Sequence, residues 1–435
     1  MKAECDVVVI GAGAAGLMAT AQLSRNSRHV VCLEAADRAG GRILTIHDPL
    51  SPLAIELGAE FVHGRPPEIW ELIRSANLMA YEHTADALYL AHGRALKEKE
   101  VGEIADRALS QMAKSGRHED ESFEDYLRRS RQRPDVKNWA RAYIEGFNAA
   151  RKELISVASL RQDAEAADAI EGDRTFRIPG GYDSIIISLL RSIPHHESVV
   201  QLNSVVERVK WRRGFIEIEY RSGLDNRKAT LRGRQLIVTV PLGVLQATAP
   251  SRGAIQFDPE PGGILKAAAS LKFGQVYRVT FRFRNAFWEE DEKLKQMGFL
   301  LSQEKRFPTW WTTNPVISPV LTGWTAGSAA DQFRSFERSQ IVAEALSSLA
   351  RILDRKIPHP ETAHFHDWRS DPFFRGAYSY VPVNGLPARK ALSKPVDATL
   401  FFAGEATDLN GHASTVHGAI ASGARAAEQI LSGGN

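Results

Sequence analysis

The stretch CDVVVIGAGAAGL, residues 5–17, decides the fold of this chain. Its β-branched run predicts a strand that is buried on both faces. The Gly-x-Gly-x-x-Gly turn of Gly11, Gly13 and Gly16 follows, and the apolar residues after it predict a helix to about residue 24. Gly11 permits a tight turn, Gly13 lets a pyrophosphate approach the backbone, and Gly16 lets the helix pack closely on the strand.

A second strand and an acidic residue complete this pattern. Residues 29–33 form an apolar run that ends on Glu34, eighteen residues beyond the last glycine of the turn. Glu34 can accept hydrogen bonds from both ribose hydroxyls of a dinucleotide. Ala14 and Ala15 lie in the glycine turn that leads into the predicted helix, whose N-terminus offers free N–H groups and a positive dipole end to phosphate. In this context the turn predicts dinucleotide binding; the alternative is a glycine-rich turn that binds nothing.

The next residues, EAADRAGGR at 34–42, distinguish between NAD and FAD. Gly41 and the glycine before it permit another close approach, and Arg42 offers a forked, permanently charged donor to a diphosphate. This second motif resembles that of the flavin-containing amine oxidases, which include monoamine and polyamine oxidases, lysine-specific histone demethylases and L-amino-acid oxidases. The resemblance implies FAD as the cofactor and Ala35 in its site. Relatives often have arginine where this chain has Ala36, so one phosphate contact is expected to be missing.

Composition narrows the class of protein. A chain of 435 residues is too long for one ordinary core and predicts two domains. A net charge of only +3 gives no reason to expect nucleic acid or an anionic membrane as a partner. No apolar stretch approaches the ~20 residues of a membrane span, and the first strand begins close to Met1, so we expect a cytoplasmic protein. Cys5 and Cys32, without a His or Cys cluster around them, predict buried reduced thiols and no metal site.

A third segment, IELGAEFVHG at residues 55–64, resembles the Gly-Ala-x-Trp/Phe-x-His-Gly segment of polyamine oxidases and histone demethylases. The resemblance implies that Gly58, Ala59 and Glu60 lie against the cofactor. It also implies that His63 lines the substrate cavity. A loop histidine held by the backbone is the alternative for His63, and its ordinary pKa of ~6.5 does not make it a base.

The middle of the chain carries weaker signals. Residues 66–169 show helical spacings, and residues 97–124 are charged enough to predict an exposed loop or a solvated helix face. The acidic run at Asp163, Glu165, Asp168, Glu171 and Asp173 either attracts a cationic substrate or forms a solvated face, and the second is favoured. Four strand-like runs follow between residues 199 and 240. The resemblance implies that Val206, in the second of these runs, pairs with the adenine edge.

Residues 272–283 show the clearest β-strand pattern in the sequence. The resemblance places Arg278 where the family has a lysine that holds a water against flavin N5. Because a guanidinium stays charged, Arg278 cannot act as a base, and we expect it to tune flavin re-oxidation. The alternative is that Arg278 shares a polar, solvated strand face with Thr280 and Arg282.

The last two resembling segments are residues 368–380 and 399–420. In the first, Trp368 is expected near the flavin ring and Tyr378 as one wall of an aromatic cage. Monoamine oxidases have a cysteine before this tyrosine that bonds the flavin, and this chain has Ala377, so FAD is expected to be non-covalent. In the second segment the resemblance adds four cofactor contacts: Gly404, Glu405, Thr415 and Val416.

Glu405 is implied to hold the ribityl chain, and the Thr415 and Val416 amides are implied to face the flavin at a helix N-terminus. Thr415 also stands where monoamine oxidases have the second cage tyrosine. The cage is therefore expected to be open on one side, which favours a bulkier or longer substrate.

These inferences predict an α/β fold in which a Rossmann-like FAD-binding domain is interleaved with an α+β substrate-binding domain. The predicted boundaries are 1–65, 176–248 and 381–435 for the first domain, and 66–175 and 249–380 for the second. The predicted function is oxidation of a primary or secondary amine by hydride transfer to flavin N5, and polyamines are among the candidate substrates. The products are an imine and H2O2, with O2 as the second substrate. The predicted catalytic residues are His63, Arg278, Trp368, Tyr378 and Thr415.

Three alternatives stay open: an L-amino-acid oxidase, a desaturase or protoporphyrinogen-oxidase-like flavoenzyme, and a flavoprotein without enzyme activity. The sequence predicts a monomer or a homodimer and does not select the amine.

Overall fold

The computed structural model describes residues 3–83, 87–91, 94–96 and 119–433. Most of the charged segment at residues 97–124 therefore lies outside the described residues. The described helices, in chain order, are α1 Ala14–Arg25, α2 Pro67–Ser75, α3 Phe123–Arg129, α4 Pro134–Phe147, α5 Val157–Asp168, α6 Asp183–Arg191, α7 His196–Val199, α8 Leu242–Leu245, α9 Gly262–Ser270, α10 Gly327–Ala330, α11 Arg338–Leu353, α12 Leu386–Leu392 and α13 Val416–Ser432.

The described strands, in chain order, are β1 Cys5–Ile10, β2 Val30–Leu33, β3 Thr45–Ile46, β4 Ile55–Glu56, β5 Val62–His63, β6 Tyr81–Glu82, β7 Ala87–Ala91, β8 Arg94–Leu96, β9 Thr175–Arg177, β10 Val200–Gln201, β11 Ser204–Arg212, β12 Phe215–Ser222, β13 Arg227–Val238, β14 Gln256–Asp258, β15 Lys272–Phe273, β16 Val276–Arg282, β17 Phe299–Ser302, β18 Thr309–Trp311, β19 Val320–Ala326, β20 Thr362–His364, β21 Ser379–Tyr380 and β22 Leu400–Phe402.

An eight-stranded sheet in the described chain has the order β10-β2-β1-β13-β12-β11-β14, with β22 also beside β13. Strands β2, β1, β13 and β22 run parallel, whereas β11, β12 and β13 form an antiparallel meander. Helices cover both faces of β1, so its valines are fully buried, as the continuous apolar run predicted. The predicted strand, glycine turn, helix and strand at the N-terminus are confirmed.

Close packing of α1 and α13 beneath this sheet depends on one glycine. A Cβ added at Gly423 of α13 would lie 2.1 Å from the carbonyl oxygen of Ala15 in α1. The two helices therefore approach at backbone distance, and the N-terminal end of α1, beside the first glycine turn, lies against the middle of α13.

A seven-stranded sheet of the described residues has the order β20-β16-β19-β18-β17-β7-β8. Its strands pack on α11 through a core rich in aromatic residues. Every residue of β16 is buried, because β19 and β20 flank it and side chains cover both of its faces. The interpretation of Arg278 and Arg282 as a solvated face is therefore wrong: Arg282 instead pairs with Asp48 at 2.7 Å and with Glu361.

The sequence reading of residues 66–169 needs one correction. Its helices are confirmed at α2 and α3, and the Ser122 hydroxyl accepts from the Asp125 N–H at 3.1 Å to begin α3. However, β6, β7 and β8 also lie in this region. These strands are two to five residues long, too short for a periodicity to separate them from helix.

We propose the predicted domain boundaries with two changes. β14 pairs with β11 and belongs with the eight-stranded sheet, which extends that part of the FAD-binding domain to Asp258. Ile69 and Ile73 of α2 join the core beneath β1, so α2 also belongs to the FAD-binding domain.

Candidate functional site

A cavity of about 710 Å³ runs from the carboxyl ends of β1 and β2 into the seven-stranded sheet. Ligands of open α/β sheets bind at this edge of the parallel strands. The cavity is lined by every predicted site residue except Gly16: Gly11, Gly13, Ala14, Ala15, Glu34, Ala35, Gly41, Arg42, Gly58, Ala59, Glu60, His63, Val206, Arg278, Trp368, Tyr378, Gly404, Glu405, Thr415 and Val416. A Cβ on Gly16 would lie 1.9 Å from the Gly11 carbonyl oxygen, so this glycine serves packing.

The carboxylate of Glu34 closes one end of the cavity. It accepts the N–H of Ala12 at 2.7 Å and the N–H of Ala36 at 2.9 Å, one on each oxygen. Burial raises the pKa of Glu34, although these two donors and Arg38 oppose the shift. The backbone thus holds the carboxylate in one orientation, and its remaining lone pairs can accept from ribose hydroxyls.

Two glycine turns form the floor of the cavity. Gly41 has a φ of +61°, and a Cβ built on it would lie 3.3 Å from the Gly13 Cα. A side chain at either position would occupy the space that a pyrophosphate needs. This cradle without side chains, together with Glu34, fits a dinucleotide.

Arg42 and Glu405 connect three segments of the cavity wall. Arg42 Nη1 donates to the Ala377 carbonyl at 2.6 Å and to Glu405 Oε1 at 2.9 Å. The Ser379 hydroxyl donates to the other Glu405 oxygen at 2.6 Å. Nε and Nη2 of Arg42 make no hydrogen bond to a described residue and remain open to an anionic ligand.

Trp368 and Gly58 form a tight contact at the centre of the cavity. The Trp368 Nε1–H donates to the Leu57 carbonyl at 2.9 Å. A Cβ on Gly58 would lie 1.9 Å from the Arg42 carbonyl oxygen and 3.2 Å from the Trp368 ring. A side chain therefore has no space at Gly58, and only glycine lets the backbone pass between Arg42 and Trp368.

Thr415 is the N-cap of the 17-residue helix α13. Its hydroxyl accepts the Gly418 N–H at 3.0 Å and donates to the His412 carbonyl at 2.6 Å. Because these bonds fix the hydroxyl, Thr415 positions the helix N-terminus at the cavity and leaves its positive dipole end available to an electron-rich ligand.

The part of the cavity that lies beside α4 and the seven-stranded sheet is lined mainly by aromatic residues. The Tyr378 hydroxyl donates to the Phe147 carbonyl at 2.7 Å, and burial raises the pKa of Tyr378, so the phenol stays neutral. The His63 ring lies edge-on to the Phe147 ring at 5.6 Å, and burial lowers the pKa of His63 to about 4. His63 lies in β5, and its ring makes no hydrogen bond to a described residue, which disagrees with the loop alternative.

Sequence reasoning missed most of this aromatic wall: Tyr89, Trp139, Tyr143, Phe147, Phe299, Trp311 and Trp324. Trp139, Tyr143 and Phe147 recur every four residues along α4, a spacing that places them on one face of the helix. Nothing in the sequence relates this helix face to the rings contributed by β7, β17, β18 and β19. It also missed His412 and His417, whose rings lie 4.7 Å apart at the N-terminus of α13.

A buried ionic cluster lies in the wall beside the aromatic residues. Glu60 pairs with Arg278 through one carboxylate oxygen and with Arg177 through the other at 2.6 Å. The Trp311 Nε1–H donates to Glu60 at 2.9 Å, and Arg278 also donates to the Gly58 carbonyl at 2.9 Å. Burial by itself would raise the pKa of Glu60, but the two arginines lower it. Arg177 carried no signal in the sequence.

The acidic residues between positions 163 and 173 lie in different environments. Asp163 and Asp173 line the cavity. Glu165 and Asp168 are exposed, and Glu171 pairs with Arg174 at 2.5 Å. Burial raises the pKa of Asp163 to about 6, against the opposing effect of Arg389 at 3.6 Å. The favoured interpretation as a solvated face is therefore wrong for Asp163, whereas Asp173 is exposed and also lines the cavity.

Residues 14–431 match the flavin containing amine oxidoreductase family, and the chain belongs to it. The chain is 28% identical to lysine-specific histone demethylase 1 homolog 3 of Arabidopsis thaliana, over 98% of this chain and 30% of that protein. It is 28% identical to polyamine oxidase 5 of Oryza sativa subsp. japonica, over 97% of this chain and 87% of that protein. The first three curated relatives are matched over 30%, 57% and 52% of their own lengths.

Solved structures share the fold. A putrescine oxidase bound to putrescine aligns with a TM-score of 0.82 at 21% identity, over 98% of this chain and 99% of that one. Cyclohexylamine oxidase from Brevibacterium oxydans aligns with a TM-score of 0.81 at 20% identity, over 99% of each chain. The predicted family, the interleaved α/β fold and FAD as the cofactor are confirmed. Within the described residues, every helix is too short or too polar to cross a bilayer.

Proposed function

We propose that this chain oxidises a primary or secondary amine, with O2 as the electron acceptor, to an imine and H2O2. One observation supports this proposal most. The part of the cavity that fits FAD, at the glycine turns and Glu34, opens directly into the part lined by aromatic residues. FAD, when bound, supplies the acceptor for the hydride that leaves the carbon next to the amine nitrogen. Hydride transfer from a neutral amine needs few ionisable groups, and the aromatic part of the cavity contains few such groups.

The residues of the chain would orient the amine and keep it neutral. His63 is uncharged at neutral pH because its pKa is about 4, and the Tyr378 hydroxyl is held by the Phe147 carbonyl. Neither places a charge beside the amine, so an unprotonated amine is favoured in this part of the cavity. Tyr378 and Trp368 would provide ring surfaces on which an alkyl or aryl group packs.

The partners of the arginines that line the cavity favour an amine over an amino acid as the substrate. An amino-acid oxidase needs a cation to bind the substrate carboxylate. Among the described residues, the arginines that line the cavity are Arg42 and Arg278. Arg278 pairs with Glu60 and donates to the Gly58 carbonyl, and we assign the open nitrogens of Arg42 to the diphosphate of FAD.

Asp163 and Asp173 extend the proposal to substrates with a second positive charge. Both carboxylates line the cavity, and Asp173 makes no ion pair with a described residue. A distal ammonium group of a diamine or polyamine would gain from this negative potential. We therefore propose that diamines and polyamines are preferred over monoamines of similar length.

An amine screen tests both parts of the proposal. Peroxide release and anaerobic bleaching of the flavin should occur with amines and not with L-amino acids; preference for L-amino acids, or bleaching only by apolar polycyclic substrates, would contradict the reaction.

The charge preference is tested separately with Asp173→Asn. This variant should raise the KM for a polyamine several-fold and leave the KM for a monoamine unchanged. Asp168→Asn is the matched control, because Asp168 belongs to the same acidic run, is exposed and does not line the cavity. Equal KM changes for the two amines, or in the two variants, would contradict the role of Asp173.

A further inference from the structure

The ionic cluster of Arg177, Glu60 and Arg278 contains more positive than negative charge. Each side chain is at most 7% exposed, so water screens the cluster weakly. Two guanidinium groups and one carboxylate leave one net positive charge in the cavity wall. A buried charge imbalance of this kind is costly and needs a compensating partner or a function.

Arg177 and Arg278 occupy different places in the cluster. Arg278 lines the cavity, and its buried Nε has no hydrogen-bond partner among the described residues. Arg177 does not line the cavity; its Nη1 donates to the Thr312 carbonyl at 3.3 Å, and its guanidinium lies 5.9 Å from the Phe61 ring. Arg177 therefore contacts the cavity wall through Glu60 and Phe61, and Glu60 is the charged one of these two contacts.

Glu60 divides its negative charge between the two arginines. If Glu60 paired with Arg278 alone, the pair would be neutral and the cavity would meet little net charge. Because Arg177 binds the second oxygen of the same carboxylate at 2.6 Å, part of the charge on Arg278 stays uncompensated. We propose that Arg177 is a positioning residue that, through Glu60, sets the positive potential of Arg278 and thereby the midpoint potential of the bound flavin.

The sign of the effect follows from charge. Reduction makes a flavin more electron-rich, so a positive potential in the cavity stabilises the reduced form and raises the midpoint potential. The proposal depends on the bound FAD and not on the amine, so it can fail or succeed independently of the proposed substrate.

Charge-changing variants of the holoenzyme test the proposal through the midpoint potential, measured by anaerobic titration against a reference dye. Arg177→Gln should lower the potential, because the cluster becomes neutral. Glu60→Gln should raise it, because two positive charges remain. The double variant has the wild-type net charge and should return close to the wild-type potential. Arg177→Lys keeps the charge and should also stay close to wild type.

Measurement at pH 6 limits interference from the neighbouring Glu56, whose pKa of about 7 keeps it mostly protonated there. A merely structural role would shift Arg177→Gln and Glu60→Gln in the same direction or not at all, and either result would overturn the proposal. If Arg177→Gln does not retain flavin, Glu60→Gln decides: an unchanged or lowered potential refutes the proposal.

Discussion

The buried carboxyl group of Glu56 should make the stability of this protein depend on pH. Glu56 accepts the Thr45 hydroxyl at 2.7 Å and the Tyr182 N–H at 2.7 Å, and no described cation lies within ion-pair distance. Burial raises its pKa from 4.5 to about 7. The folded state therefore keeps a proton that the unfolded state has already lost between these two pH values.

The sign and the size of the effect follow from linkage. The contribution of Glu56 is fully present below pH 4.5 and is lost as the pH rises through about 7, so stability falls with increasing pH across this window. A shift of about 2.5 pKa units corresponds to about 3 kcal/mol at ~1.4 kcal/mol per unit. Glu56→Gln has no titrating group and should avoid this loss.

The assay is the free energy of unfolding in urea, measured for wild type and Glu56→Gln holoenzyme between pH 4 and pH 8. The difference between the two proteins should change by about 3 kcal/mol in favour of the variant as the pH rises. Glu71→Gln, at an exposed position of α2, is the control for removing a carboxylate. Parallel pH profiles for wild type and Glu56→Gln would refute the reasoning.

Three further predictions concern the cofactor. Glu34→Ala should weaken FAD binding roughly tenfold to a hundredfold, because hydrogen bonds to a charged acceptor are worth ~1.5–3 kcal/mol; unchanged affinity of the apoprotein in a fluorescence titration would identify another ribose ligand. Flavin should leave the chain on acid precipitation, since Ala377 cannot form a thioether; flavin that stays with the pellet contradicts this. Arg278→Met should slow re-oxidation by O2 in stopped-flow measurements with little effect on reduction by amine, and the reverse pattern would show that Arg278 has another role.

The local patterns of the sequence determined the nucleotide-binding half of this protein. The glycine turn, the strand before it and Glu34 lie within thirty residues, and each must satisfy backbone geometry that few residue types permit. Gly41 and Gly58 were identifiable for the same reason, since a side chain at either position would meet backbone atoms. Where the backbone itself forms the site, its residues are recognisable along the chain.

The aromatic part of the cavity and the ionic cluster beside it could be recognised only in the tertiary structure. Arg278, Thr280 and Arg282 occupy every second position of the sequence, a pattern that favours a polar strand face. However, β16 is buried between two strands, and its arginines pair with acidic residues from distant segments. Arg177 lies 117 residues from Glu60, and the aromatic wall is assembled from four strands of the seven-stranded sheet and from α4. Charge pairing and ring packing between separate elements depend on distances in space, and such contacts leave no periodic signal in the sequence.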